Sequence, residues 1–388
     1  MCDKTLAHGR YFASFIQGGF ECSTHRRKDG RRLDLIASTL HDQFLVQDYE
    51  RLKRVGIQTA REGLRWHLIE ASRGVYDFTS VAPAVNASNL AGVQVIWDLF
   101  HFGWPDHLDI FHPDWVHAFG ELAWQFSRLW KRESGDLPAF IAPVNEISFV
   151  SWAGGDRGFL NPFAMGRGGE LKAQLVRAAL RAVQAIRSEL PTATVISPEP
   201  VIHIAGNPAR PDDAADAEAY RLSMFEAWDM LLGRARPELG GGPDAFDIIG
   251  INYYDRNQWF NHGETIRVGD SEYRPFHQIL KEVFDRYHCP LFIAETGTED
   301  DARPEWFAYV ATEVRKATES GIPVDGICLY PILNHPGWED DRHCFNGLWD
   351  YAGTDGTRAI YQPLADEIGR QETIRLAKWQ GKTQCTMR

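Results

Sequence analysis

The sequence lacks the long apolar segments and the ligand-binding motifs on which many classes of protein depend. It has no run of 18 apolar residues, so no membrane-spanning helix is predicted. It has no GxGxxG or GxxxxGK motif, which disfavours a nucleotide-binding doubly wound sheet. The H-x-H and HExxH patterns of metal-dependent hydrolases are absent too. We therefore expect neither a cofactor nor a bound metal.

Positive charge and paired cysteines are also scarce. Lys and Arg number 41 against 53 Asp and Glu, and the net charge of −12 does not favour binding of nucleic acid. The basic run 26–32 is an exception that we interpret as a solvated loop. The six cysteines form no CxxC pair, and Cys289 and Cys328 lie in apolar runs, as buried free thiols do. Residues 1–10 show no signal-peptide pattern, so a cytoplasmic location without a membrane partner is expected, whereas the oligomeric state is not predicted.

What the sequence does contain is a series of eight short apolar segments rich in β-branched and aromatic residues. Phe12 and Val324 lie seven intervals apart, about 45 residues for each interval, which is enough for a strand, a loop and a helix. The segments are 11–16, 56–66, 92–100, 139–145, 193–199, 246–252, 289–295 and 324–332. Helical periodicity between them is clearest at 114–131, where Asp114 is the expected N-cap, and at 170–190 and 304–320.

This alternation predicts an α/β protein built as a single (β/α)8 TIM barrel. We assign residues 1–369 to the barrel and residues 370–388 to a C-terminal tail. A doubly wound sheet is the rival architecture, but it would need a glycine-rich phosphate turn after an early strand.

Two glutamates close predicted strands that lie nearly opposite each other in an eight-stranded ring. Glu146 follows the fourth segment and Glu295 closes the seventh. Active sites of such barrels form at the carboxyl ends of the strands, and a facing pair of carboxyl groups is what glycosidic cleavage requires. A separation of about 5–5.5 Å would give retention of configuration, and about 6.5–9.5 Å would give inversion. Arg61 lies within the second segment and Tyr254 follows the sixth, where they could keep a nucleophilic carboxylate ionised.

At these residues the sequence resembles the retaining β-glycosidases of glycoside hydrolase clan A, and most closely family 1, the β-glucosidase and β-galactosidase family. The resemblance extends from about residue 12 to residue 368 and rests on the order of six short motifs. They are REGLRW (61–66), DLFHFGWP (98–105), PVNEISF (143–149), DIIGINYY (247–254), FIAETGT (292–298) and FNGLWDY (345–351).

The resemblance implies a soluble enzyme that hydrolyses O-glycosyl bonds of a small neutral β-glycoside or an oligosaccharide. It implies Glu146 as the acid/base and Glu295 as the nucleophile of a double displacement through a covalent glycosyl-enzyme. Asn145 would hold the 2-hydroxyl of the sugar. The alternative is a glycosidase-derived carbohydrate-binding protein, or a transglycosidase with little hydrolysis.

The resemblance also implies supporting roles for polar residues at neighbouring strand ends. Tyr254 and Arg61 would orient and polarise the nucleophile. His101 would hydrogen-bond a sugar hydroxyl, and Asn252 would support the pocket.

Two stretches depart from the family pattern at positions that bind the sugar. The eighth segment reads YPILNHPGW (330–338), with Tyr330 in place of a tryptophan and Gly337 in place of a glutamate. Trp338 is retained and could stack on the sugar face. The first segment lacks the family's sugar-binding glutamine, for which Gln17 or Glu21 could substitute. The reaction type is thus better predicted than the sugar.

Aromatic and charged residues near the strand ends suggest how the rest of a substrate would be bound. Five tryptophans are candidate walls of sugar subsites: Trp66, Trp104, Trp152, Trp259 and Trp338. The acidic stretches 299–301 and 339–341 argue against a phosphorylated substrate. The basic run 26–32 could instead accept an anionic group on the leaving side.

Overall fold

Eight parallel strands close into a barrel in the computed structural model, which describes residues 11–210 and 212–385. With strands numbered in chain order, the barrel order is β1-β10-β9-β7-β5-β4-β3-β2. The barrel strands are β1 (Ile16–Gly19), β2 (Thr59–Gly63), β3 (Gln94–Phe100), β4 (Phe140–Val144), β5 (Thr194–Pro200), β7 (Ile248–Asn252), β9 (Leu291–Thr296) and β10 (Val324–Leu329). Each one lies in or overlaps a predicted segment, although β1 overlaps its segment only at Ile16, so the single TIM barrel is confirmed.

Two short pairs of strands lie in the loops outside the barrel. The parallel pair is β6 (His203–Ala205) with β8 (Gln258–Phe260), and the antiparallel pair is β11 (His335–Pro336) with β12 (His343–Cys344). The second pair belongs to the loop after β10, the stretch that departs from the family pattern.

Helices fill the intervals between barrel strands. They are α1 (Leu35–Ser38), α2 (Leu45–Arg54), α3 (Trp66–Ile69), α4 (Ala82–Ala91), α5 (Pro113–Ser134), α6 (Ile147–Val150), α7 (Gly168–Glu189), α8 (Ala214–Leu222), α9 (Glu226–Leu231), α10 (Phe276–Tyr287), α11 (Arg303–Glu319) and α12 (Gln362–Cys385). The predicted helices at 114–131, 170–190 and 304–320 correspond to α5, α7 and α11. The cap of α5 differs from the prediction, because the imidazole of His112 accepts the Asp114 N–H at 3.2 Å and Asp114 lies in the first turn.

Apolar side chains fill the barrel at its amino-terminal end. Phe12 packs against Phe140 and Phe292, with ring centroids 5.6 and 4.9 Å apart, and Ile96 and Ile248 belong to the same buried cluster. Because this end is closed by side chains, the carboxyl ends of the strands are where a ligand can enter.

The C-terminal segment is helical, and one cysteine differs from expectation. The helix α12 begins at Gln362 and continues to Cys385, so the predicted division after residue 369 falls within a helix. Residues 1–10, where no signal was predicted, and the end of the tail, 386–388, lie outside the described residues. Cys328 is a buried free thiol as expected, but Cys289 is disulfide-bonded, so the prediction is wrong there. An apolar run predicts burial and does not reveal whether a second thiol lies within bonding distance.

Within the described part of the chain, none of the helices has the length and apolar character that crossing a membrane requires.

Candidate active site

A cavity of about 1180 Å³ opens at the carboxyl ends of the barrel strands. Six of the residues predicted for catalysis and for binding the cleaved sugar line it: Glu21, His101, Glu146, Tyr254, Glu295 and Trp338. Three others, Arg61, Asn145 and Asn252, are buried beside these residues and bind them directly. The structure therefore brings together nine residues that lie in or follow seven different barrel strands.

Glu295 lies near the end of β9 with a hydrogen-bond donor on each carboxylate oxygen. Nη1 of Arg61 donates to Oε1 at 2.8 Å, and the Tyr254 hydroxyl donates to Oε2 at 2.8 Å. Only 5% of Glu295 is exposed. The two donors fix the plane of the carboxylate, and the guanidinium supplies the opposite charge that an ionised carboxylate needs in a buried place.

Arg61 is held in turn by a buried network below the cavity. Its Nε lies 3.0 Å from Oδ1 of Asp98, its Nη2 lies 2.8 Å from Oδ2 of Asp98, and Nη2 also donates to Oδ1 of Asn145 at 2.8 Å. Burial alone lowers the pKa of Arg61, but Asp98 and Glu295 outweigh it and hold that pKa well above its ordinary value. The cation beside Glu295 is therefore permanent.

Glu146 has a different environment from Glu295. Its Oε1 accepts a hydrogen bond from Nδ2 of Asn252 at 3.0 Å, and no arginine or lysine contacts it among the described residues. Burial raises its pKa to about 8, the charges of Glu295 and Glu199 act in the same direction, and the Asn252 hydrogen bond opposes them. Glu146 is therefore mostly protonated at neutral pH and can donate a proton.

The backbone at Glu146 is left-handed. Its φ of 52° places the residue in a conformation that costs a non-glycine residue about 1–2 kcal/mol. The residue is the N-cap of the short helix α6, and its N–H donates to the carbonyl of Pro198 on β5 at 3.0 Å. This turn aims the side chain inward from the end of β4 towards the cavity.

His101 and Asn145 complete the polar floor of the site. Nδ1 of His101 lies 3.0 Å from Oδ2 of Asp98, and its Nε2 lies 3.3 Å from Nδ2 of Asn145. Asn252 donates to both Oδ1 of Asn145 and Glu146, at 3.2 and 3.0 Å, as expected for a supporting residue.

In the two stretches that depart from the family pattern, the residues that line the cavity include Glu21, Gly337 and the retained Trp338. Trp338 packs its ring against Phe102 and against the edge of His25. Oε1 of Glu21 accepts the Ser23 N–H at 2.9 Å. Gln17 is fully buried, and its amide has no hydrogen-bond partner among the described residues, so it does not replace the missing glutamine in the cavity.

Tyr330 supports the site from below and does not line the main cavity. Its ring stacks on His101, with centroids 5.8 Å apart and planes 6° apart, and the guanidinium of Arg61 lies 5.4 Å from its centroid. Its hydroxyl lies 3.5 Å from Sγ of Cys22. Tyr330 does line a smaller cavity beside the main one, together with Tyr254 and Arg342.

The structure does not support a sugar contact for two of the five tryptophans. Trp104 is 7% exposed, donates its indole N–H to the Leu108 carbonyl and stacks on Phe100, outside the cavity lining. Trp66 is fully buried and donates to Glu70. Both predictions fail because a position near a strand end does not fix which way the ring turns. Trp152 and Trp259 do line the cavity.

Several charges of the basic run and of the acidic loops form ion pairs at the rim. Arg27 pairs with Asp341 at 2.9 Å, and Arg31 contacts the same carboxylate. Both oxygens of Glu299 accept from Arg342 at 2.6 Å. Arg26 and Arg32 likewise pair with Asp106. These charges join loops to one another, which removes the main reason to expect an anionic group on the leaving side.

Three residues that were not predicted from the sequence contribute to this region. Asp98 anchors both Arg61 and His101. His25 is 4% exposed and contacts Trp338, and burial lowers its pKa to about 3, so its ring is neutral. Glu199 closes its strand segment as Glu295 does, so the criterion that found Glu295 also identifies it.

One group of potential metal ligands occurs among the described residues. Ligand atoms of Cys22, Asp98 and His101 lie within 4.8 Å of one another. The Asp98 carboxylate in this group already contacts Arg61 through both oxygens, one as a hydrogen-bond acceptor and one as an ion pair. A cation would have to compete with that guanidinium, so the prediction of no metal remains our expectation.

Comparison with known sequences gives one informative relative. No protein-family model matches the chain. The chain is similar to the β-galactosidase of Sulfolobus acidocaldarius, with 24% identity over 311 residues. The match covers 63% of the chain and 61% of that β-galactosidase, so the chain spans less than two thirds of its relative.

Solved structures resemble the chain over almost its whole length. The family 1 β-glucosidase of Thermotoga maritima matches with a TM-score of 0.73 and 15% identity, covering 93% of this chain and 98% of that one. An enzyme of Alicyclobacillus herbarius matches with a TM-score of 0.73 and 18% identity, covering 93% of this chain and 100% of that one. A rice β-glucosidase variant in a covalent complex with glucose matches with a TM-score of 0.75 and 14% identity. The match covers 92% of this chain and 97% of the rice chain. These likenesses confirm the predicted resemblance to family 1 and show the common barrel fold.

Proposed function

We propose that the chain is a retaining β-glycosidase that acts by double displacement, with Glu295 as the nucleophile and Glu146 as the acid/base. The observation that carries the proposal is the unequal setting of two carboxyl groups that face one cavity. Glu295 binds the permanent cation of Arg61, whereas Glu146 is buried without a cation and has a pKa raised to about 8. One group is set to attack and the other to donate a proton.

In this mechanism, Glu295 attacks the anomeric carbon while Glu146 protonates the departing oxygen. Bond formation to Glu295 consumes its negative charge, so the repulsion that helps to keep Glu146 protonated falls. Glu146 then accepts a proton from water as that water displaces the sugar from Glu295. Asn145 and His101 would bind sugar hydroxyls beside the anomeric carbon, and general acid assistance supplies about 10²–10⁴-fold of the rate.

We propose a small neutral glycoside as the substrate. Trp338 offers an aromatic face, and Glu21 offers a carboxylate oxygen on the side of the cavity where the family pattern is altered. Trp152 and Trp259 would contact the leaving group. Arg27 and Arg31 pair with Asp341, and Arg342 pairs with Glu299, so carboxylates already neutralise these rim cations. Nothing observed favours the alternative of a binding protein or transglycosidase.

A panel of aryl β-D-glycosides (gluco, galacto, fuco, xylo and manno) tests the function. We expect at least one of them to be cleaved, with the β-anomer of the sugar appearing first in a proton NMR time course. Release of the α-anomer would contradict the retaining mechanism. Absence of turnover across the panel, with sugar binding in a calorimeter, would contradict hydrolysis and favour the binding-protein alternative.

The pH profile of kcat/KM should fall on the alkaline side near pH 8. The pKa of Glu146 is raised to about 8, so the proton needed by the leaving group is present below this pH and lost above it. The measurement uses a phenyl glycoside, which depends on acid assistance. A profile that stays flat from pH 7 to pH 10 would contradict the assignment of Glu146.

Tyr254→Phe should lower kcat by about 10–100-fold, since it removes one of the two donors that orient Glu295. Tyr253→Phe is the matched control, because the Tyr253 hydroxyl bonds to Tyr273 and Gln258 and does not touch Glu295. Steady-state kinetics on the best substrate of the panel measures both. Equal effects of the two substitutions would show that the Tyr254 hydroxyl has no specific role.

A further inference from the structure

Glu199 is a buried acid beside the site that the proposed mechanism does not use. It lies on β5, is fully buried, and does not line the cavity. Its Oε2 accepts the backbone N–H of Ser148 at 3.0 Å, and its Oε1 has no hydrogen-bond partner among the described residues. Burying a carboxyl group with one oxygen unpaired lowers the stability of the fold, so the presence of Glu199 requires an explanation.

The backbone that Glu199 binds belongs to the turn that carries Glu146. On one side of this turn, the Glu146 N–H donates to the carbonyl of Pro198 at 3.0 Å. On the other side, the Ser148 N–H donates to the carboxyl group of Glu199. Two successive residues of β5 therefore hold the left-handed turn from both ends.

Charged and titratable groups surround this pair from several elements. Glu146 faces Glu295 on β9 and Glu199 on β5, both of which raise its pKa, and His101 after β3, which lowers it. Tyr254, after β7, also lies close to Glu146. Glu199 faces Lys172 on α7, which contacts Glu226.

We propose that Glu199 is a positioning residue for Glu146: its carboxyl group fixes the turn that aims the acid/base, and its negative charge helps to keep Glu146 protonated. The inference deepens the proposed function and rests on it. Burial raises the pKa of both carboxyl groups, and the negative charge of Glu199 raises the pKa of Glu146 further, so an ionised Glu199 opposes loss of the proton from Glu146.

Two substitutions separate the two effects. Glu199→Gln keeps an oxygen that can accept the Ser148 N–H and removes the charge. Glu199→Ala removes both the charge and the hydrogen bond. Glu313→Gln is the matched control, because Glu313 is 3% exposed and also accepts a backbone N–H, that of His277 at 3.2 Å, but lies on α11 away from the cavity lining.

The test measures the kcat/KM profile on a phenyl glycoside and the rate of labelling by a dinitrophenyl 2-fluoro-glycoside. For Glu199→Gln we expect the alkaline limb to move down by about 0.5–1 pH unit, since a like charge has been removed. For Glu199→Ala we expect a further fall of about tenfold with the phenyl glycoside, which needs the acid. Labelling, which needs no acid, should stay within about twofold of the wild type in both variants.

A direct titration distinguishes failure of this inference from failure of the proposed function. Carbon-13 NMR of the Glu146 carboxyl group, assigned with Glu146→Gln, needs no turnover. The Glu146 pKa should be lower in Glu199→Gln than in wild type and unchanged in Glu313→Gln. An unchanged pKa in Glu199→Gln would overturn the inference, whether or not the panel is cleaved. If no glycoside of the panel were cleaved but the Glu146 pKa shifted as expected, the proposed function would be overturned and the effect of Glu199 on Glu146 would stand.

Discussion

Glu295→Ala is expected to lower kcat/KM on every β-glycoside by about 10⁴-fold or more. The substitution removes the group that forms the bond to the anomeric carbon, and no other carboxylate among the described residues contacts both Arg61 and Tyr254. Arg61 keeps its two contacts with Asp98, so the variant should still fold. Circular dichroism and thermal unfolding check that expectation.

Azide separates loss of the nucleophile from general damage to the site. The truncated side chain leaves room for a small anion beside Arg61 and Tyr254. With a dinitrophenyl β-glycoside, added azide should restore turnover and give the α-glycosyl azide, because it attacks from the face that Glu295 occupied. A variant that retains more than about a tenth of wild-type activity would contradict the assignment of Glu295.

Glu146→Ala is expected to act selectively on substrates with poor leaving groups. The kcat/KM for a methyl or phenyl glycoside should fall by about 10²–10⁴-fold, because the departing oxygen is no longer protonated. Formation of the glycosyl-enzyme from a dinitrophenyl glycoside should change much less, since that leaving group needs no proton. The alkaline limb near pH 8 should disappear, because the group with the raised pKa is gone.

The second step of the same variant gives a further test. Water lacks its general base in Glu146→Ala, so the glycosyl-enzyme should accumulate and appear as a burst of dinitrophenol. Azide needs no base and should speed this step, giving the β-glycosyl azide. If methyl glycosides were cleaved as fast as by the wild type, Glu146 would not be the acid.

The sequence predicted the barrel and the polar centre of the site because both have local signals. Eight apolar segments at nearly equal intervals mark the strands, and parallel strands bring their carboxyl ends to one edge. Glu146 directly follows such a segment, Glu295 closes one and Arg61 lies within one, so the closed barrel brings all three towards the same end. The contacts of Arg61 and Tyr254 with Glu295 are those expected.

The parts that failed depend on side-chain direction and on partners distant in sequence. Trp104 and Trp66 have the right place along the chain, but their rings turn into the packing between barrel and helices. The disulfide of Cys289 depends on a second thiol that an apolar run does not reveal. The pairing of Arg27 with Asp341 joins loops more than 300 residues apart, and no local pattern predicts it.

The central claim is that Glu295 forms a covalent bond with the sugar, and one measurement tests it directly. The enzyme is incubated with a dinitrophenyl 2-deoxy-2-fluoro-β-glycoside of whichever configuration the panel shows it to cleave. The fluorine slows release of the sugar, so the intermediate accumulates and can be digested and located by mass spectrometry. We predict one equivalent of label on the peptide that contains Glu295. The loss of activity should be proportional to the extent of labelling. Label on another residue, or no label on an enzyme that turns over the parent glycoside, would contradict the mechanism.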